Sequence, residues 1–324
     1  MVNKKKLEVA YKRYKKNFKK RIESGESEEE YNEVKDEVLG IIKSNNTDKD
    51  HILLINLNVI HRYYISKWKK NVVIEEKKEL EDLKKIQILI FYKCMAQDLY
   101  KTRYPKMRLN YNFGDIVGSL IHYNLFGWTR EENVLFKFII ENMGSNILKV
   151  NDENTHIWYL LELYLQYTGK NILGKDKKIN LVIKKELRER QLETNFIPDT
   201  LNVYDNTLEK WKTKDLQEIT EIIEQMIEYH SEKAENTGDL GEFTDYIYGF
   251  YPIEIFFLIH VRKKMGLPVP ENFDDFLMNN PEAKMEFNDK ELYPEEDELV
   301  GEIDKFYRKN YPEYIPNEYG ELFK

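Results

Sequence analysis

Apolar residues recur along this chain at spacings of three and four, the pattern of helices that bury one face. No run of strict apolar–polar alternation bounded by hairpin turns interrupts them. The pattern predicts an all-α protein, an irregular multi-helix bundle of antiparallel helix pairs joined by short loops. A first helix is expected over about residues 4–24, stopping at Gly25, and Ser27, Glu28, Glu29 and Glu30 then form a capping box that opens a second helix to residue 43. A third is expected over 51–70, with Ile52, Ile55, Val59 and Tyr63 on its apolar face. A fourth, over 75–101, must stop before Tyr104-Pro105, because the residue ahead of a proline resists helical geometry.

Residues 113–126 form the next helix, closed by Gly127, and Thr129, Arg130, Glu131 and Glu132 read as a second capping box for a helix to Met143. A helix over 153–168 ends at Gly169. Further helices are expected over 214–236, 252–265 and 296–309. The segments share no repeat signature. Four regions follow: 1–170, an N-terminal helical bundle with a basic first helix; 171–210, a connecting region; 211–280, a C-terminal helical part; and 281–324, an acidic tail containing Tyr and Pro that wraps the body.

Charge sharpens this picture more than overall composition does. The 324 residues carry a net charge of −8, a balance that disfavours nucleic acid as a partner. That total conceals +9 over residues 1–21, where ten bases meet the single acid Glu8, −7 over 281–324, and −10 over 215–254, where Lys233 is the single base. On a helical wheel Glu218, Glu221, Glu224, Glu228, Glu232 and Glu235 fall within a sector of about 120°. Leu216, Ile219, Ile222, Ile223, Met226, Ile227 and Ala234 occupy the opposite side. An ordinary exposed helix is often glutamate-rich, but it commonly interleaves lysines at the fourth position, whereas like charges at that spacing repel. A ridge that accepts such repulsion suits a basic partner, and the acidic residues Asp239, Glu242 and Asp245 extend it.

Nothing in the sequence announces catalysis. The six histidines are scattered, no glycine-rich phosphate loop is present, and Glu153 and His156 form a lone Glu-x-x-His where a carboxylate-bridged metal site needs a second copy and two further glutamates. The expectation is a non-enzyme with no metal and no cofactor. His260, in an apolar helix, reads as a buried structural histidine. Cys94 lies in an apolar run and reads as a core residue. With one cysteine, no leader-like segment and no apolar run approaching the roughly 18 residues a membrane span needs, the expected location is cytoplasmic, with no membrane partner. Tyr11, Tyr14 and Phe18 in the basic first helix are expected to be its packing stripe, leaving the bases solvated or paired within the chain.

The segment from Tyr246 to Glu254 reads from its residues as a turn at Gly249, a helix start at Pro252, and a carboxylate, Glu254, at the third helical position facing the orphan amides. Gly249, Phe250, Tyr251 and Glu254, with a helix end at Gly266-Leu267 and the preceding Tyr229-His230, resemble the C-terminal signature of the PoNi-type immunity proteins, which neutralise polymorphic nuclease effector toxins. Pro252 stands where that family usually has a small residue. The resemblance implies an immunity protein that binds and occludes a cognate toxin domain, a nuclease, with the acidic surface as the contact. The alternative is a non-enzymatic helical scaffold or regulatory protein holding a peptide or protein partner.

Overall fold

Glycines and prolines end most of the helices where the pattern places their ends, and the computed structural model is all-α. It describes residues 4–103, 111–145, 148–172, 177–236, 242–243 and 247–324. Among these, thirteen helices follow in order: α1 Lys4–Glu23, α2 Glu26–Lys43, α3 Asp50–Lys69, α4 Glu81–Arg103, α5 Phe113–Phe126, α6 Thr129–Asn142, α7 Thr155–Thr168, α8 Ile179–Glu189, α9 Val203–Lys210, α10 Leu216–Ala234, α11 Ile253–Lys264, the single turn α12 Phe276–Asn279, and α13 Glu298–Asn310. The described strands are two residues each, Tyr111–Asn112 and Leu148–Lys149, paired with one another. No described helix is long and apolar enough to cross a membrane.

The chain divides into two compact units, each discontinuous in sequence. One comprises Met1–Lys15 and Lys149–Glu286, the other Lys16–Leu148 and Phe287–Lys324. The 171–210 stretch thus lies inside the first unit, with α8 and α9 packing on α7, and the last forty-four residues are divided between the two.

In the second unit α3 packs between α2 and α4, and α5 pairs with α6. The buried face of α3 is Leu53, Leu54, Leu57, Ile60, Tyr64 and Trp68, whereas Ile55 is half exposed. The stripe expected at Ile52, Ile55, Val59 and Tyr63 is therefore rotated by about one position. This helix carries two apolar stripes at legal spacing, and the bulkier one, ending in Trp68, takes the core because it removes more apolar surface from water. The tail belongs to this unit from Phe287 onward. Trp128 Nε1 donates to the Glu291 carbonyl at 2.9 Å, and the Phe323 ring sits among Phe91, Tyr92, Tyr123, Trp128 and Tyr293.

Neither expected capping box forms, and neither helix start carries a side-chain cap. Gly25, with φ 71°, turns the chain so sharply that α2 begins at Glu26, and the Gly25 carbonyl itself accepts from Glu28 and Glu29 at 3.0 and 3.1 Å. Ser27 is left inside the first turn. At α6 the cap is Trp128, Thr129 is already helical, and Glu131 is buried, accepting from Tyr293 Oη at 3.0 Å and from the Phe323 amide at 2.9 Å. The fourth helix starts six residues later than expected, because α3 runs on as a π-turn, Lys70–Ile74, whose end is folded back by a Lys77 amide bond to the Asn71 carbonyl.

The first unit gathers the N-terminal part of α1 with α7 to α12. Tyr11 and Tyr14 pack edge-on and tilted against Phe250 with centroids at 5.0 Å, and Tyr11 also meets Phe276. Tyr11, Tyr14 and Phe18 are all buried, which makes them the packing stripe of the basic helix as expected. Helix α9 went unanticipated because eight residues carry too little periodicity to read.

Candidate acidic interface

The face of interest is built on α10. Asp215 caps it, accepting from the Gln217 and Glu218 amides at 2.8 and 3.3 Å, which satisfies orphan donors at the positive end of the helix. Ile219, Ile222, Ile223, Met226, Ile227 and Ala234 are buried as the wheel required. Leu216 departs from that stripe: as the first helical residue it lies at the end of the element and remains 49% exposed.

What holds the helix in place is a buried arginine. Arg262 of α11 is fully buried, and its guanidinium donates to the carbonyls of Trp211, Thr213 and Pro268, the last two at 2.9 and 2.6 Å. Burial lowers its pKa from the ordinary arginine value. A guanidinium can bridge three carbonyls because its donors form a rigid planar fork. One side chain thereby fixes both the segment leading into α10 and the segment leaving α11.

The six glutamates have different fates. At the ends the chain supplies its own partners. Glu218 accepts from Thr213 Oγ1 at 2.6 Å and pairs with Lys210 at 3.0 Å, contacts that hold its pKa below the usual carboxylate value. Glu235 lies 3.9 Å from Lys6 of the basic helix, and its carbonyl accepts from Arg13 at 3.4 Å. In the middle, Glu221, Glu224, Glu228 and Glu232 are exposed. Glu221 accepts a bond from Gln217. Glu224 and Glu232 make no hydrogen bond or ion pair among the described residues. Lys233, the helix's own base, lies over the Tyr229 ring, 5.4 Å from its centroid.

Beside this middle stretch runs an open groove of about 320 Å³, with Thr220, Glu224, Glu228 and Ser231 of α10 on one wall and residues 272–275 on the other. Asp274 is exposed, and Asp275 caps α12 by accepting from the Leu277 amide at 2.6 Å. Neither aspartate was singled out in the sequence; the adjacent acids in Asn272-Phe273-Asp274-Asp275 were the available signal. Among the described residues no three His, Cys, Asp or Glu side chains converge closely enough to hold a metal ion.

Of the acidic extension, Asp239 and Asp245 lie outside the described residues. Glu242 is inward-facing. Its carboxylate accepts from Thr155 Oγ1, Tyr229 Oη and the His156 amide, and lies 2.8 Å from His156 Nδ1. Burial alone would raise its pKa, but the hydrogen bonds and charge of His156, helped by Tyr229, hold it below the usual carboxylate value. His156 thus pairs with Glu242 rather than with Glu153.

The signature residues are interior. Gly249, Phe250, Tyr251 and Glu254 are all buried. Pro252 is the cap of α11, one position earlier than expected, so Glu254 is the second helical residue and turns away from the orphan amides. Its Oε1 lies 2.8 Å from His230 Nδ1, and His230 Nε2 lies 3.2 Å from the Gly249 carbonyl. The Phe243 ring lies between two imidazoles, with centroids 3.7 Å from His230 and 4.2 Å from His156. His260 is only partly buried; desolvation and the neighbouring Lys264 and Lys263 bring its pKa down to about 4. Cys94 is fully buried and its thiol pKa is raised by that burial.

No family model, curated protein or solved structure matches this chain.

Proposed function

We propose that this chain is a protein-binding inhibitor, an immunity protein that occludes the basic cleft of a toxin domain, a nuclease, with the exposed carboxylates at the middle of α10. The observation that carries the reading is the exposed row Glu221, Glu224, Glu228 and Glu232, in which Glu224 and Glu232 meet no base among the described residues. The chain supplies bases to both ends of the ridge, yet Lys233 turns onto Tyr229 and Glu224 and Glu232 have no partner among the described residues. Repeated repulsion at the fourth position costs a few tenths of a kcal/mol per pair, a cost that an incoming row of Lys and Arg side chains would reverse. The buried signature at Gly249, Phe250, Tyr251 and Glu254 supports the interface from beneath, by seating His230 of α10 against α11.

The test is co-purification with the product of the adjacent upstream gene at about 50 and about 500 mM salt, since screening contracts the Debye length from roughly 14 Å to about 4 Å over that range. Capture should weaken steeply at the higher salt and vanish in the triple variant E221K, E228K and E232K, with helical content unchanged. Undiminished capture by that variant overturns the reading.

A further inference from the structure

Within the acidic face one place is shaped to receive a side chain. The groove between α10 and residues 272–275 offers carboxylates from both walls, Glu224 and Glu228 on one and Asp274 and Asp275 on the other. Its volume of about 320 Å³ far exceeds the roughly 10–15 Å³ that a single water needs. A second observation is independent of this charge. Ser231 lines the same groove, is 1% exposed, and its Oγ has no hydrogen-bond partner. Serines within helices ordinarily bond the carbonyl four residues back, as Thr220 on the same face does with Leu216 at 2.7 Å. A buried hydroxyl left unmatched costs free energy until something reaches it.

The kind of cation follows from the arrangement. The carboxylates do not converge as metal ligands do, and they are spread along a channel that also carries Ile227 and the half-buried ring of Phe273. An ammonium is a compact, strongly hydrated point charge, whereas a planar guanidinium presents five donors in a rigid fork that can span two separated carboxylates and lie on an aromatic face. Taking the protein-binding reading above as given, we propose that this groove is the seat of an arginine side chain from the partner protein, held between Glu224 and Asp274 with Ser231 Oγ accepting one of its N–H groups.

The experiment follows backbone amide shifts of the full isotope-labelled chain during titration with the capped tripeptide acetyl-Gly-Arg-Gly-amide, with lysine and citrulline counterparts as probes. Saturable shifts are expected at α10 residues 224–231 and at 272–275 with arginine, about threefold weaker binding with lysine, and none with the uncharged citrulline. E224Q combined with D274N should weaken arginine binding at least about fivefold, and S231A about two- to tenfold. E193Q combined with E209Q removes the same charge from exposed positions outside both the ridge and the groove and should change affinity less than about twofold. Equal losses in the two double variants, equal binding of citrulline, or shifts scattered over every acidic surface overturns the assignment. The two readings fail separately. If the ridge reversal abolishes capture of the upstream gene product while the tripeptide leaves the groove amides unmoved, the groove assignment falls and the protein-binding reading stands; a tripeptide that fills the groove while the reversed ridge still captures the partner gives the converse.

Discussion

His230 and Glu254 form a pair at 2.8 Å in which neither side chain is exposed, and the second imidazole nitrogen faces the Gly249 carbonyl at 3.2 Å. The imidazole therefore ties α10 to the first turn of α11 and to the turn ahead of it. Removing one member strands the other. Glu254→Ala should cost about 1–3 kcal/mol and Glu254→Gln distinctly less, because the amide side chain can still bond the ring. Urea unfolding midpoints give both values, and a Glu254→Ala loss under about 0.5 kcal/mol would mean that the pair does not hold α10 on α11.

Acid should loosen the neighbouring contact. Glu242 has its folded-state pKa held below the usual carboxylate value of 4.5. A depressed carboxylate contributes stability that is present above the unfolded value and is lost as pH falls through the folded one. Melting temperature should therefore decline from about pH 4.5 downward, and Glu242→Gln should flatten that decline while lowering stability at pH 7. An identical acid limb in the variant would assign the effect to other carboxylates.

Asp297 does two jobs at the start of α13. Its Oδ1 accepts from the Leu299 and Val300 amides, both at 3.0 Å, and its Oδ2 from Tyr31 at 2.8 Å and Tyr64 at 2.6 Å. Losing a cap costs about 1 kcal/mol, and each charge-assisted phenol bond adds about 1.5 or more. Asp297→Ala is expected to cost about 3–4 kcal/mol in thermal or urea unfolding, whereas Tyr31→Phe should cost about 1.5 kcal/mol.

Phe323 has φ 58° and touches five aromatic rings one residue from the chain's last position. Phe323→Ala should lower stability by about 2–4 kcal/mol, less than a fully enclosed phenylalanine, because the ring is only partly buried. A change below about 0.5 kcal/mol, the range of ordinary surface substitutions, would show the end to be a frayed tail.

Cys94 should be inert in the folded chain, since its thiol is buried and its pKa is raised. Only the thiolate reacts. Modification by a disulfide reagent at pH 8 is expected to follow global unfolding, and fast labelling of native protein would contradict that burial.

The class of the fold was legible because helical periodicity is local, and the ends at Gly25, Gly127 and Gly169 were legible because those residues reach positive φ without strain. The choice of face was less so. In α3 both stripes satisfy the period, and only the packing of α2 and α4 decides that Leu54 is buried and Ile55 exposed. The starts of α2 and α6 were less legible: in both, the hydroxyl residue stands inside the first turn, and the cap residues Gly25 and Trp128 supply no side-chain acceptor.

The acidic row on α10 belongs to the sequence alone, since the wheel depends only on spacing. Tertiary structure divided that row. It brought Lys210 and Thr213 to Glu218 and Lys6 to Glu235, turned Glu242 inward to His156, and set Asp274 across a groove from Glu224. Lys6 reaches Glu235, far along the chain, because the burial of Tyr11 and Tyr14 seats α1 in the core. Charge placement along one helix is a matter of period, whereas neutralisation depends on which distant side chains the core carries to it.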